Sequence, residues 1–190
     1  MDEALMAYRN GTYIAFHAEG KTDPTASDIK YYRTLKMWHA SDGTDFKFVN
    51  SHDKVAAVRD GSKAETIKRS LRERLDNSKN MVLIIGPTTK LDTDFVPYEI
   101  AYAVDRCGIP IIATYTSTGY TVIREPKALS AWWPAALSSR IANGTASVIH
   151  IPFKQAAIDC AIGQFSHNSL PLGGGLGIYS DAAYREFGLL

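Results

Sequence analysis

From Met81 to Ile85 the chain runs through five apolar residues, MVLII, before Gly86-Pro87 ends the run. So short a run, rich in Val and Ile, predicts a strand buried on both faces. A polar loop, Thr88 to Asp94, follows. In the next stretch, FVPYEIAYAVDRCG, Ile100, Ala103, Val104 and Cys107 fall at i, i+3, i+4 and i+7, the stripe of an amphipathic helix. Pro97 suits the first turn of that helix and Gly108 its end. Ile109 to Tyr115 is a second buried run. Strand, crossover helix and strand in so little chain make a βαβ unit, and so a parallel sheet.

The flanking pattern extends this unit in both directions. Residues 1–11 form a leader, and Thr12 to Phe16 (TYIAF) is a short apolar strand followed by a polar loop from His17 to Ser27. Ser27 or Asp28 caps a helix in which Tyr31, Leu35 and Trp38 share a face. Ser41-Asp42-Gly43 turns the chain into Phe46 to Val49, a strand with one wet side. A second polar loop, Asn50 to Gly61, leads to Ser62 and Glu65, an S-x-x-E capping box. The helix it opens carries Ala64, Ile67, Leu71 and Leu75 as its buried stripe. Its charges, with pairs such as Glu65–Arg69, predict a solvated outer face. Pro126 and Pro134 break the next stretch into short helices ending at Asn143-Gly144, with Trp132 and Trp133 as packing residues. Ala146 to Ile151 (ASVIHI) is a last strand. Pro152 then starts a helix that turns Phe153, Ala156, Ala157, Cys160 and Phe165 inward. The tail, 167–190, is expected to be a Gly-rich linker (SLPLGGGLGIY) and a short terminal helix. It lacks the Lys-Ser/Thr of a phosphate loop and follows a helix.

The distribution of polar residues orders the sheet. Strands 12–16, 81–85 and 109–115 are mostly apolar and belong inside. Strands 46–49 and 146–151, the latter through Ser147 and His150, carry polar residues and belong at the edges. With right-handed crossovers this gives a five-stranded parallel α/β sheet of order 2-1-3-4-5 with helices on both faces, the flavodoxin-like arrangement, over residues 12–166. Its switch point lies between strands 1 and 3. A ligand crevice there is bounded by the loops after Phe16 and Ile85, and Glu99 follows the second of them.

Composition narrows the chemistry more than the fold. A net charge of +1 gives no electrostatic case for nucleic acid or an anionic membrane surface. The acidic start MDEALMAYRN lacks a signal-peptide pattern, and no apolar run is long enough to span a bilayer. Cys107 and Cys160 both fall on buried helix faces as reduced packing residues, which places the protein in the cytoplasm. The five histidines show no metal-ligand spacing, and there is no C-x-x-C, G-x-S-x-G or G-x-G-x-x-G. What remains is one carboxylate, Glu99, expected at the mouth of the fold, with His17, His52 and Asp53 on neighbouring loops. Carboxylates also favour helix N-termini for the backbone dipole alone. Beside a sugar, however, a single carboxylate suits cleavage of an N-glycosidic bond, whose transition state resembles an oxocarbenium ion. The nicotinamide of NAD is already cationic and leaves without protonation.

The motifs YIAFH, YYRTLKMW, SHD (Ser51 to Asp53), RDGSKAETIKRSLRERL, VLIIG, FVPYEI, GIPIIA and IPFKQAAIDCA, in this order, resemble the bacterial TIR-like proteins of the ThsB type from Thoeris antiphage systems. The resemblance runs from about Thr12 to Phe165. It implies the same flavodoxin-like sheet and an enzyme that splits NAD to release nicotinamide and a cyclic or modified ADP-ribose signal. NAD is then the substrate, and neither a cofactor nor a metal is implied. The family's catalytic glutamate, in its W/F-x-x-x-E-I pattern, falls on Glu99. Its nucleotide-facing loops begin at His17 and Asn50, so Phe16, His17, His52, Asp53, Phe95 and Tyr98 are the implied substrate-binding residues. Phe95 stands where many relatives have Trp, and Pro97 replaces a polar or basic residue. Implied partners are further copies of the chain and an effector that senses the product. Two other readings stand beside this one. The stretch EIAYAVDRCGIP also resembles nucleoside deoxyribosyltransferases, and a catalytically silent TIR-like scaffold would share the fold.

Overall fold

The computed structural model describes residues 9–17, 28–41, 47–49, 64–116 and 119–190, with only the backbone of 47–49. Most of the leader, the loop after His17, the Ser41–Gly43 turn, Ser62 of the capping box, and His52 and Asp53 lie outside the described residues.

Among the described residues six parallel strands form the sheet: β1 (Gly11–Ala15), β2 (Lys47–Val49), β3 (Ser78–Ile85), β4 (Ile111–Tyr115), β5 (Val148–Pro152) and β6 (Gly177–Ile178). Their order is β2-β1-β3-β4-β5-β6, so the expected 2-1-3-4-5 sheet is present with one strand added beyond β5. β1 and β3 are adjacent, with Tyr13 level with Met81 and Ala15 with Leu83. Two helical layers cover the sheet. Against one face lie α2 (Ala64–Asp76), α3 (Phe95–Tyr102) and α4 (Ala135–Ala142), which bury Tyr13, Ala15, Met81, Leu83, Ile85 and Ile111. Against the other lie α1 (Ile29–Ser41), α5 (Gln155–Gln164) and α6 (Asp181–Glu186), over Ile14, Phe16, Val82, Ile84, Ile112 and Ile149. The strict alternation along β1 and β3 gives each layer its own apolar floor, and each aliphatic side chain buried there contributes roughly 1.5–3 kcal/mol.

The helices follow their stripes with small shifts. In α2, Ile67, Leu71 and Leu75 are buried while Ala64 is exposed, and Glu65 pairs with Arg72 at 3.0 Å, two turns along. In α1, Ile29, Tyr32 and Leu35 form the buried face, and Tyr31 and Trp38 pack half-buried against Phe153. In α5 the buried set is Ala157, Ile158, Ala161 and Ile162; Ala156 is exposed and Cys160 half-buried, which corrects the expected stripe. The α3 helix runs on through a wider π turn, Ala103–Cys107, and stops at Gly108, whose φ of 62° is left-handed. Cys107 is buried, and burial beside Asp76 pushes its thiol up to about 12, so it is an inert packing group.

The tail departs most from expectation. β5 is not an edge, because β6 pairs with it through Ile149–Gly177 and His150–Ile178. Two glycines of this segment, Gly175 and Gly177, serve close approach rather than flexibility. A Cβ on Gly177 would lie 2.6 Å from the carbonyl oxygens of both Leu172 and Val148, and one on Gly175 would lie 3.0 Å from Ile141. Beyond β6, Tyr179 and Tyr184 join Phe165 and Phe187 in the second core, and the Tyr184 hydroxyl bonds the backbone N–H of Ile123 at 3.2 Å. Residues 174–179 are therefore packed into the sheet where a linker was expected, while the expected terminal helix is present as α6 and packs into the second helical layer.

Candidate functional site

Glu99 lies on the face of α3 that meets the sheet, in line with Val96, Ile100 and Ala103. It has 0% of its surface exposed. This corrects the expectation of a carboxylate open at the mouth of the fold: the site is closed in this structure. The same burial separates Glu99 from a helix-terminus carboxylate, which gains its dipole stabilisation at the surface and needs no burial. Taking a carboxylate out of water costs several kcal/mol, so a fold selected for stability alone would place an aliphatic residue here.

Tyr13 of β1 donates its hydroxyl to Glu99 Oε1. Tyr13 is itself fully buried. Burial raises its pKa well above the ordinary tyrosine value, and the neighbouring carboxylate raises it further. Arg74 acts in the opposite sense and does not prevail. The phenol therefore keeps its proton and remains a donor to the carboxylate.

A second tie joins the same two elements nearer the rim. His17, two residues past β1, places Nδ1 3.1 Å from Asp92 Oδ2. The other oxygen of Asp92 accepts the backbone N–H groups of Asp94, Phe95 and Val96 at 3.0, 3.0 and 3.3 Å, which caps the start of α3. Asp94, the residue next to the helix, makes no side-chain cap. The loop between β3 and α3 is anchored on its other side too. Thr89 Oγ1 accepts the Gly86 N–H at 2.8 Å and donates to Asp28 Oδ2 at 3.3 Å, and Asp28 opens α1. The chain is tight at this junction: a Cβ on Gly86 would sit 3.0 Å from Thr116 Oγ1 and 3.2 Å from Asp28 Oδ1.

The implied substrate-binding residues do not all gather here. Phe16 lies on the opposite face of the sheet from Glu99, stacked on Tyr32 with centroids 5.0 Å apart. Tyr98 is engaged by α2: Arg72 donates to its hydroxyl at 3.1 Å and the Lys68 ammonium sits 5.1 Å from its ring centre. Phe95 is half-buried against the core on Glu99's side of the sheet. His17 meets α3 through Asp92, and His52 and Asp53 lie outside the described residues. Sequence reasoning missed Tyr13 and Asp92. The first looked like any apolar strand residue, and the second was one of several loop acids, set three residues upstream of the helix where the usual capping position is Asp94.

Among the described residues no group of three or more His, Cys, Asp and Glu is placed to hold a metal ion. No described helix is long and apolar enough to cross a membrane. The sequence model of the family described as Thoeris protein ThsB, TIR-like domain, matches residues 13–119, which span Tyr13, His17, Asp92 and Glu99.

Proposed function

The chain belongs to the Thoeris ThsB TIR-like family, a defence-related group, and on that footing we propose that it cleaves the nicotinamide–ribose bond of NAD with Glu99 as the catalytic carboxylate. The observation that carries this reading is the burial of Glu99 against the floor of the β1–β3 switch point, hydrogen-bonded by Tyr13. Ligands of open parallel sheets bind outside the carboxyl ends of the strands at this point.

The chemistry follows from the charge. As the C1′–N bond breaks, its electron pair goes to the nicotinamide ring, which leaves neutral, and positive charge develops on the ribose. An anion held beside that ribose stabilises the charge most where it is largest, in the transition state. Tyr13 fixes the orientation of the carboxylate. Attack at C1′ by water, with loss of a proton, gives ADP-ribose; attack by a nucleophile within the same molecule gives a cyclic product. Either is a signal for an effector protein.

Glu99 is fully buried, so the substrate reaches it only once the carboxylate is uncovered. Self-association of TIR-like domains is a fitting trigger. The same cover favours the scaffold reading, in which the carboxylate never meets a ligand. Chromatography of NAD incubated with the protein, alone and with phage-infected lysate, decides between them. Nicotinamide release that Glu99→Gln abolishes, with folding intact, is the expected result. Cleavage of deoxynucleosides in place of NAD would move the assignment to a deoxyribosyl transfer.

A further inference from the structure

We infer that Asp92 is a positioning residue for this cleavage, holding the His17 ring with its proton on Nδ1 so that Nε2 is offered as an acceptor to a ribose hydroxyl of the substrate. The inference rests on the reading of Glu99 given above. Two ties cross the seam between β1 and α3. The inner one joins Tyr13 to Glu99, and the outer one joins His17 to Asp92 four residues further along the strand. His17, four residues past Tyr13, stands beyond the carboxyl end of β1, the rim at which ligands of open parallel sheets bind.

The outer tie is shielded, and one of its partners is held. The side chains of His17 and Asp92 are only 14% and 11% exposed. Asp92 cannot swing away, because its second oxygen holds three backbone donors at the start of α3. An ionised carboxylate only accepts, so Nδ1 carries the hydrogen of this bond, and in the neutral form of the ring the lone pair is left on Nε2. A nitrogen so fixed bonds a sugar hydroxyl and gives nothing to a sugar that lacks it, which predicts a preference for ribosyl over deoxyribosyl substrates.

Asp92→Asn tests this directly. The asparagine carbonyl still caps α3, while its amide donates to His17 Nδ1 and drives the proton to Nε2. Nitrogen-15 NMR of the imidazole is expected to report the Nδ1–H tautomer in the parent and Nε2–H in the variant, with the thermal midpoint little changed. The value of kcat/KM for NAD is expected to fall roughly tenfold, the loss of one hydrogen bond. His17→Phe is expected to fall as far, and the double variant no further. An Nε2–H tautomer in the parent, or a switched tautomer with unchanged NAD turnover, overturns the inference and leaves Glu99 untouched. An Nδ1–H parent with no NAD cleavage under any condition overturns the cleavage reading, and the role of Nε2 with it.

Discussion

At His150 the ring sits between two fixed partners. Its Nε2 donates to the Gly175 carbonyl at 2.9 Å, and its Nδ1 accepts the Tyr115 hydroxyl at 2.8 Å, which itself accepts from Trp133 Nε1 at 2.8 Å. Every polar atom of this buried chain is satisfied with the imidazole neutral. Burial holds its pKa down at about 4, against an ordinary value of 6.5. A group whose folded pKa is depressed contributes full stability above the unfolded value and loses it as pH falls. The folded protein should therefore lose about 3 kcal/mol from this group between pH 6.5 and pH 4. Urea midpoints of the parent and His150→Phe test it: the parent's advantage at neutral pH should shrink steadily toward pH 4. A constant difference would contradict the neutral, buried ring. His150 also marks a limit of sequence reading. A polar residue on a short strand points to a wet edge, and nothing local reveals that a carbonyl 25 residues later will cover it.

At the scale of elements, β3, α3 and β4 were legible because each carries an uninterrupted run or a clean stripe bounded by Gly or Pro. Segment 174–179 was not, because glycine is ambiguous. The same residue that loosens a linker also lets two backbones meet, and only the contact partners distinguish the cases. Gly177 provides the test. Its missing Cβ is where the carbonyls of Leu172 and Val148 converge, so Gly177→Ala should displace β6 and cost about 2–4 kcal/mol. Thermal unfolding with limited proteolysis near Leu172 would register both effects. An alanine variant as stable and as resistant as the parent would show that β6 is not held as described. The start of α3 carries a similar lesson. The expected helix is present, but its cap comes from Asp92 three residues upstream, because the loop folds back to bring that carboxylate over the first N–H groups.

For the whole molecule, the order of the five expected strands followed from where apolar runs alternate with mixed ones, and that order places the switch point beside Glu99. What the pattern could not convey is whether the crevice is open. If Glu99 acts on NAD as proposed, a carboxylate at 0% exposure must first be uncovered. If assembly of copies uncovers it, nicotinamide released per molecule should rise with protein concentration, and crowding agents should increase it at fixed concentration. A strictly constant specific activity would remove assembly as the trigger.

As proposed, the Glu99 carboxylate, held by Tyr13 in the seam between β1 and α3, breaks the nicotinamide–ribose bond. The most direct measurement is nicotinamide released from NAD by the parent and by Glu99→Gln, at matched concentration and with infected lysate present. Removing the anion while keeping its shape should lower the rate by roughly a hundredfold or more, with the circular dichroism spectrum and thermal midpoint preserved. A folded Glu99→Gln protein that releases nicotinamide as fast as the parent would contradict the account.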